Sequence, residues 1–219
     1  MSPLPRRQSN LLATWTAALG SRTAVVGREL LARYAEPHRR YHDTAHLEGV
    51  LYALYQLRPA EELPTAVVAA AFWHDAVYDP TAADNELRSA DLAAASMTEL
   101  GLDLSLVDEV RRLVLLTASH APAPGDDVGA LLCDSDLAVL AAGPDGYTRY
   151  AAGIRAEYAH LSDDHFRAGR AAVLANLLDR PWLYSSGTAR ELWETAARRN
   201  MQDELALLSP ASDDADRPA

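Results

Sequence analysis

The strongest constraint on the fold is a stretch that has no polar side. From Thr65 to Trp73 the chain runs through nine uninterrupted apolar or small residues, and it continues directly into His74 and Asp75. Because successive helical residues are turned by about 100°, such a run covers every side of a helix, and we predict a helix that is buried all round. Burying a carboxylate beside an imidazole costs free energy unless another group, such as a metal ion, pairs with them.

Length and charge narrow the classes of function. The chain has 219 residues, of which 49% are hydrophobic, which suits one well-packed domain with a single core. Its net charge of -11 argues against a nucleic-acid or anionic-membrane surface, because both bind clustered cations. A small-molecule partner fits better. All 20 basic residues are arginine, so a Schiff-base lysine, a Walker lysine and a lysine general base are excluded.

The cysteine content and the N-terminus favour a reducing compartment. Cys133 is the only cysteine, so the chain can form neither an internal disulfide nor a Cys-x-x-Cys metal site. The N-terminal residues contain no apolar segment of signal-peptide length, and no apolar run reaches about 18 residues. We therefore expect a cytoplasmic protein without a membrane segment, as a monomer or homodimer.

The hydrophobic periodicity predicts an all-α protein, a single globular bundle of about nine to ten helices over residues 1–208. Residues 209–219 are predicted to form a disordered tail, since they have little to bury. Capping signals at Thr81-x-x-Asp84, Ser105-x-x-Asp108 and Thr188-x-x-Glu191 indicate the starts of three helices. The other helices are predicted, in chain order, at Gln8–Leu19, Arg22–Ala35, His42–Leu57, from Pro64 through the buried stretch, Val128–Ala142, Tyr147–Leu161, Asp164–Leu178 and Ala189–Leu208.

The chemistry of the chain must come from histidine and carboxylate side chains. There is no Gly-x-Ser-x-Gly elbow, no Gly-rich phosphate loop and no His-Glu-x-x-His pair. His42 and His46 are one helical turn apart and share a face. Two histidines and two carboxylates would suit a hard or borderline divalent ion with positions left for water and substrate. The available groups are His42, His46, His74, Asp75, His120, Asp134 and Asp136.

At these residues the chain resembles a known family. His46, the doublet His74-Asp75 and Asp136 stand in the order His, His-Asp, Asp that defines the HD superfamily of metal-dependent phosphohydrolases. Four local strings look like those of an uncharacterised bacterial branch of predicted HD phosphohydrolases: Tyr41-His-Asp-Thr-Ala-His46, Phe72-Trp-His-Asp-Ala-Val-Tyr-Asp79, Asp84-Asn-Glu-Leu-Arg-Ser89 and Ile154-Arg-Ala-Glu-Tyr158. The resemblance implies an HD-type helical domain, with a metal-binding core at about 38–142 and C-terminal helices at 144–208.

The resemblance also implies the ligands of one divalent metal ion, which are His46, His74, Asp75 and Asp136. The ion itself, among Mn, Co, Ni, Fe, Mg and Zn, is left open. So are two of the ligands, since His42 is the alternative to His46 and Asp134 the alternative to Asp136. Family members with two metals carry extra histidines after the doublet, where this chain has Asn85-Glu86, and His120 could serve only a partial second site.

The implied activity is hydrolysis of a nucleotide or another small phosphate ester by a metal-activated water. Asp79 is the first candidate for the general base, one turn beyond Asp75 if the helix persists, and Glu86 is the second. Guanidinium groups would offset the acidic field around a bound phosphate. The substrate-binding candidates are Arg39, Arg40, His42, His120, Arg155 and Arg170.

Each candidate also has a purely structural interpretation. Asp79 and Glu86 could hold a turn and a helix start, His120 could cap a helix end, and Arg155 could belong to an ion-pair network with Glu157.

Two other functions stay open: an HD module that binds a nucleotide without turnover, and a di-iron oxygenase.

Overall fold

The computed structural model describes residues 4–208, and that part of the chain is helical without a β-strand. The prediction of an all-α single domain with nine to ten helices is confirmed. The first nine helices are α1 (Arg6–Leu19), α2 (Ala24–Arg33), α3 (Thr44–Leu57), α4 (Thr65–Trp73), α5 (Asn85–Glu99), α6 (Leu104–Leu116), α7 (Asp127–Asp136), α8 (Pro144–Glu157) and α9 (Asp163–Leu178). The predicted disordered tail lies outside the described residues.

The last helix, α10, has three consecutive parts. It begins with a short α-helical turn at Gly187–Ala189, passes through a π-helical stretch at Arg190–Glu194 and ends with an α-helix at Thr195–Leu208. Short 3-10 helices at Ser21–Thr23, Ala60–Glu62 and Leu137–Ala141 lie between the longer elements. No helix in residues 4–208 combines the length and the apolar character that a membrane span needs.

Several helices begin directly after an acidic or hydroxyl side chain that accepts hydrogen bonds from the first backbone N–H groups of the helix. Asp43 accepts hydrogen bonds from the backbone at the start of α3, and Asp103 does so at the start of α6. Two predicted caps are wrong by two residues, because Asp103 caps the helix that was expected to start at Ser105 and Ser186 caps the one expected to start at Thr188. The third predicted cap is also displaced, since α5 starts after Asp84 and Thr81 lies in the preceding turn.

The helix α4 is buried on all sides, as its sequence predicts. Every residue from Ala66 to Trp73 is buried, and the helix packs against α1, α3, α5, α6 and α7. The helix ends after Trp73, so the doublet His74-Asp75 lies at its C-terminal end and inside the protein. A helix with no solvent-facing side thus delivers an imidazole and a carboxylate to the interior.

The buried side chains form two hydrophobic clusters where one was expected. The first is built by α1–α7 and the second by the 3-10 helix at Leu137–Ala141 with α8, α9 and α10. Leu57 packs against both clusters. The first cluster begins at Leu11, well before the metal-binding core predicted at about residue 38.

Candidate metal centre

Three elements bring four potential metal ligands together. His46 is the third residue of α3, whose start is fixed by the Asp43 cap. His74 and Asp75 follow α4, and Asp136 is the last residue of α7. Because α3 and α7 both pack against α4, these helix ends meet at one place. His46 and His74 are buried, while Asp75 and Asp136 are partly buried.

The donor atoms of these residues lie at metal-ligand spacing. His46 Nε2 is 3.0 Å from His74 Nε2, and Asp136 Oδ1 is 3.2 Å from the first and 3.6 Å from the second. Asp75 Oδ2 is 3.4 Å from His46 Nε2 and 3.1 Å from His74 Nε2. Donors that each lie about 2.0–2.2 Å from one ion are about 3.0–3.5 Å apart, so this donor set fits a divalent metal. The cluster of His46, His74 and Asp136 could hold such an ion.

The tautomer of His74 supports the same interpretation. Its Nδ1 lies 2.8 Å from the carbonyl oxygen of Ala71, a group that can only accept, so Nδ1 carries the hydrogen. In the neutral ring, Nε2 is then an unprotonated lone pair that faces His46 and the carboxylates. Metal-ligating histidines are oriented in this way, with the second ring nitrogen donating to a carbonyl or carboxylate.

The two carboxylates of the cluster are stabilised by positive charge on the neighbouring histidines. Burial opposes the charged form of His46, but hydrogen bonds to Asp136 and Asp75 outweigh it and raise its pKa to about 10. Burial alone would raise the pKa values of Asp75 and Asp136, yet the neighbouring charge of His74 helps to hold both well below their usual range. Two partly buried carboxylates are therefore stabilised by protons on the histidines, and a metal ion would supply that positive charge in their place.

His120 orients the second oxygen of Asp136. Its Nε2 lies 2.8 Å from Asp136 Oδ2, while Oδ1 of the same carboxylate faces His46 and His74. His120 has φ 47°, a left-handed conformation that non-glycine residues rarely adopt. Arg180 donates to the His120 carbonyl, which helps to hold this backbone. His120 therefore lies in the site and orients Asp136, which is one of the potential metal ligands.

The structure distinguishes the alternative ligands. Instead of joining the cluster, His42 places Nδ1 2.7 Å from Oε2 of Glu157. Asp134 accepts hydrogen bonds from the backbone N–H groups of Ser185 and Ser186, at 2.7 and 2.8 Å, and thereby anchors the start of α10. Its carboxylate is thus engaged with the backbone, whereas that of Asp136 faces the histidines.

Glu157 is a site residue that the sequence did not single out for this role. One of its oxygens accepts the backbone N–H groups of residues 40–42, and the other accepts from Tyr78 Oη and lies beside His42. Gly153, one turn earlier on α8, permits this approach, because a Cβ there would meet Tyr41 Cβ at 3.0 Å. The only earlier signal was its place in the string Ile154-Arg-Ala-Glu-Tyr158, where Arg155 was its expected partner.

The two candidate bases lie in different surroundings. Asp79 was the first candidate on condition that the helix persists, and this condition is not met, because α4 ends at Trp73. Asp79 lies in a turn, where its carboxylate accepts from the backbone and hydroxyl of Thr81. Those hydrogen bonds lower its pKa. Glu86 is partly buried and lines the cavity at the candidate metal centre, and its carboxylate forms no hydrogen bond or ion pair within residues 4–208.

Three of the four predicted arginines are engaged with other parts of the protein. Arg39 is buried and donates to the carbonyls of His42, Asp75 and Ala76. Arg155 pairs with Asp163, and Arg170 pairs with Glu204 while donating to Tyr150. None of the three lines either cavity described next.

Two adjoining cavities open at the cluster. The smaller has a volume of about 160 Å³ and contains all four potential ligands together with His42, Glu86 and His120. The larger, of about 540 Å³, lies between α3, the 3-10 helix at Leu137–Ala141, α8 and α10. Arg40 lines it, as does Arg149, which the sequence did not indicate. The residues that line both cavities are Tyr41, His46, Asp136, Val139 and Tyr150.

Within residues 4–208, the fold and site define an all-helical protein with a buried histidine and aspartate cluster that could hold a metal ion. Comparisons of the chain with family models, with curated proteins and with solved structures found no match in any of the three sets. The resemblance to the HD superfamily therefore stays a prediction from the sequence motifs.

Proposed function

We propose that the protein is a metal-dependent phosphohydrolase that acts on a nucleotide or another small phosphate ester. The observation that carries this proposal is the convergence of His46 Nε2, His74 Nε2 and Asp136 Oδ1 at 3.0–3.6 Å from one another, with Asp75 Oδ2 beside both histidines. The order of these residues in the sequence, which resembles that of HD phosphohydrolases, supports the same reaction.

The four residues would hold one divalent ion, which when bound supplies Lewis-acid polarisation of a phosphoryl oxygen and lowers the pKa of water toward neutrality. Glu86 is the group best placed to accept the proton of the attacking water, because its carboxylate lines the cavity and has no protein partner within residues 4–208. His42 is held through Nδ1 by Glu157, which leaves Nε2 as the ring nitrogen available to a substrate.

Positive charge for the substrate comes from the edge of the site. Arg40 and Arg149 are exposed, line the larger cavity and form no side-chain hydrogen bond or ion pair with described residues. In a protein of net charge -11, two free guanidinium groups beside a metal centre would attract and hold an anionic ester.

Metal analysis of purified variants tests the site. The wild type should bind about one ion per chain, and His74→Ala and Asp75→Ala should bind close to none, because each removes a donor of a four-residue set. His160→Ala is the matched control, since His160 is an exposed histidine outside the cavities, and it should retain the metal. Wild-type metal content in His74→Ala would contradict the assignment.

A substrate screen tests the reaction. Phosphorylated metabolites are incubated with the protein loaded with Mn, Co, Ni, Fe, Mg or Zn in turn, and released phosphate is measured. Hydrolysis that requires a metal and is lost in His74→Ala supports the proposal. Nucleotide binding without hydrolysis by any loaded form would instead favour a binding module, and about two redox-active irons per chain would favour a di-iron centre.

A further inference from the structure

The sizes of the two cavities at the candidate metal centre limit where each part of a substrate can bind. Ligand cavities commonly measure about 300–1,000 Å³, and the larger cavity, at about 540 Å³, falls in that range. The cavity around the metal ligands, at about 160 Å³, lies well below it. It has room for an ion and a phosphate-sized group, so the organic part of a substrate must lie elsewhere.

We propose that the larger cavity, here called the α3–α8 cleft, binds a planar aromatic ring in the organic part of the substrate. This inference rests on the proposed function, because it places a phosphate ester across the two cavities. His46 and Asp136 line both of them, so a group bound in the cleft is adjacent to the metal ligands.

The walls of the α3–α8 cleft have the chemistry that a planar ring requires. Four aromatic side chains line it, namely Tyr41, Tyr52, Tyr150 and Trp193. Five alanines and two valines add small apolar surface, and the other lining residues are glycine or polar. Tyr41 and Tyr150 pack edge to face with ring centroids 4.8 Å apart at the boundary with the metal centre. Aromatic faces and small apolar residues favour stacking and burial of a flat ring.

One residue at the wall of the cleft carries a hydroxyl that has no hydrogen-bond partner among the described residues. Ser135 lines the cleft, and its hydroxyl oxygen is buried without a hydrogen-bond partner in residues 4–208. Leaving a buried hydroxyl unpaired costs free energy, so such groups usually have a ligand, a water or a function. Gln56 also lines the cleft and forms no side-chain hydrogen bond with described residues. Together they would recognise hydrogen-bonding atoms at the edge of a heteroaromatic ring.

Gly49 is a position at which a side chain can be added at the wall of the cleft. Gly49 lies on α3 and lines the cleft, and a Cβ added there would meet no atom of residues 4–208 within 4 Å. Alanine is a better helix former than glycine, so Gly49→Ala should fold at least as well as the wild type. The side chain of Gly49→Phe would occupy the cleft, while the metal ligands keep their positions.

The experiment measures binding of adenosine, an uncharged probe that carries a planar ring but no phosphate, with ribose as the probe without the ring. Titration calorimetry on the metal-loaded protein should show adenosine binding and no ribose binding in the wild type and in Gly49→Ala. Gly49→Phe should weaken adenosine binding by at least about tenfold, as expected when a fitted pocket loses its space. Metal content should be unchanged in all three proteins.

Ser135→Ala gives an independent measurement. Because the hydroxyl has no hydrogen-bond partner within residues 4–208, its removal should leave the midpoint of urea unfolding unchanged or higher, yet weaken adenosine binding. A serine with a structural role would instead lower that midpoint, which would count against the proposal.

The binding experiments test the assignment of the cleft independently of the proposed hydrolysis. Absence of adenosine binding to the wild type, or equal binding by Gly49→Phe and Gly49→Ala, overturns the cleft assignment even if phosphate esters are hydrolysed. Loss of adenosine binding in Gly49→Phe supports the cleft, and it does so even if no phosphate ester is hydrolysed, in which case the proposed function alone fails.

Discussion

The carboxylate of Glu157 lies 2.7 Å from Nδ1 of His42, although 115 residues separate the two in the sequence. The Glu157 side chain is fully buried, and its other oxygen accepts three consecutive backbone N–H groups at residues 40–42. One side chain of α8 therefore fixes the loop that precedes the end of α3 at which His46 lies. The position of His42 in the cavity depends on this long-range contact.

Glu157→Gln should destabilise the protein by about 1.5–3 kcal/mol, because an amide cannot replace a carboxylate that accepts from several donors. Urea unfolding at neutral pH measures the change. Glu48→Gln is the matched control, since Glu48 forms an exposed ion pair with Arg7, and it should cost at most about 1 kcal/mol. Equal losses in the two variants would show that the Glu157 network is not a special source of stability.

The stabilisation by Glu157 should depend on pH. Burial opposes its ionisation, but the hydrogen bond and charge of His42 together with the backbone donors lower its pKa from 4.5 to about 2. Because the pKa of Glu157 is lower in the folded protein than in the unfolded chain, its ionised carboxylate stabilises the fold fully above pH 4.5. The stabilisation is lost as the pH falls from 4.5 toward 2 and the carboxylate is protonated. The lowering of this pKa corresponds to about 3 kcal/mol of unfolding free energy. The difference in unfolding free energy between wild type and Glu157→Gln should therefore shrink between pH 4.5 and pH 2. A difference that stays constant from neutral pH to pH 3 would exclude this origin.

His120→Ala should weaken metal binding without abolishing it. His120 lies 2.8 Å from Asp136 Oδ2 and orients the carboxylate whose other oxygen faces the histidines. Loss of such an orienting partner costs about 10–100-fold in metal affinity. Competition with a chromogenic chelator measures the affinity, with His160→Ala as the control that should match the wild type. Complete loss of the metal would instead make His120 a direct ligand.

Glu86→Gln and Asp79→Asn should have different effects on turnover. Glu86 lines the cavity, so its loss as a general base should slow hydrolysis by about 10²–10⁴-fold with the metal retained. The Asp79 carboxylate is committed to Thr81 in a turn, so Asp79→Asn should leave the hydrolysis rate within about twofold of the wild type. The reverse order of effects would return the role of base to Asp79.

The cluster of potential ligands could be predicted from one buried helix and from the order of four residues in the sequence. An unbroken apolar run predicts a buried α4, and the following His74-Asp75 must then find partners inside the protein. His46 and Asp136 have family-like positions in the sequence, and the structure brings both to His74.

The surrounding residues could not be predicted, because their positions depend on tertiary packing. Pro80 indicates that a helix ends before it, but no proline or glycine marks an end at Trp73, so the sequence does not show that α4 stops six residues before Asp79. Glu157 and Arg149 lie far along the chain, and only the packing of α8 brings them to the site. The sequence also cannot show which of two adjacent arginines faces inward in an irregular loop.

Arg39 and Arg40 should respond to substitution in opposite ways. Arg39 is buried and donates to the carbonyls of His42, Asp75 and Ala76, so it ties the loop before α3 to the turn after α4. Arg39→Gln should lower the unfolding free energy by at least about 2 kcal/mol, because buried carbonyl groups lose their donors. Arg40 is exposed and its guanidinium has no partner in residues 4–208, so Arg40→Gln should change stability by no more than about 0.5 kcal/mol.

The two variants should also differ in phosphate binding. Arg40→Gln should weaken the inhibition of hydrolysis by inorganic phosphate by about three- to tenfold, since it removes one charge-assisted contact. Urea unfolding and phosphate inhibition, measured on both variants, separate the two roles. If Arg40→Gln binds phosphate like the wild type, then Arg149 is the remaining free cation among the residues that line the larger cavity, and Arg149→Gln should show the loss instead.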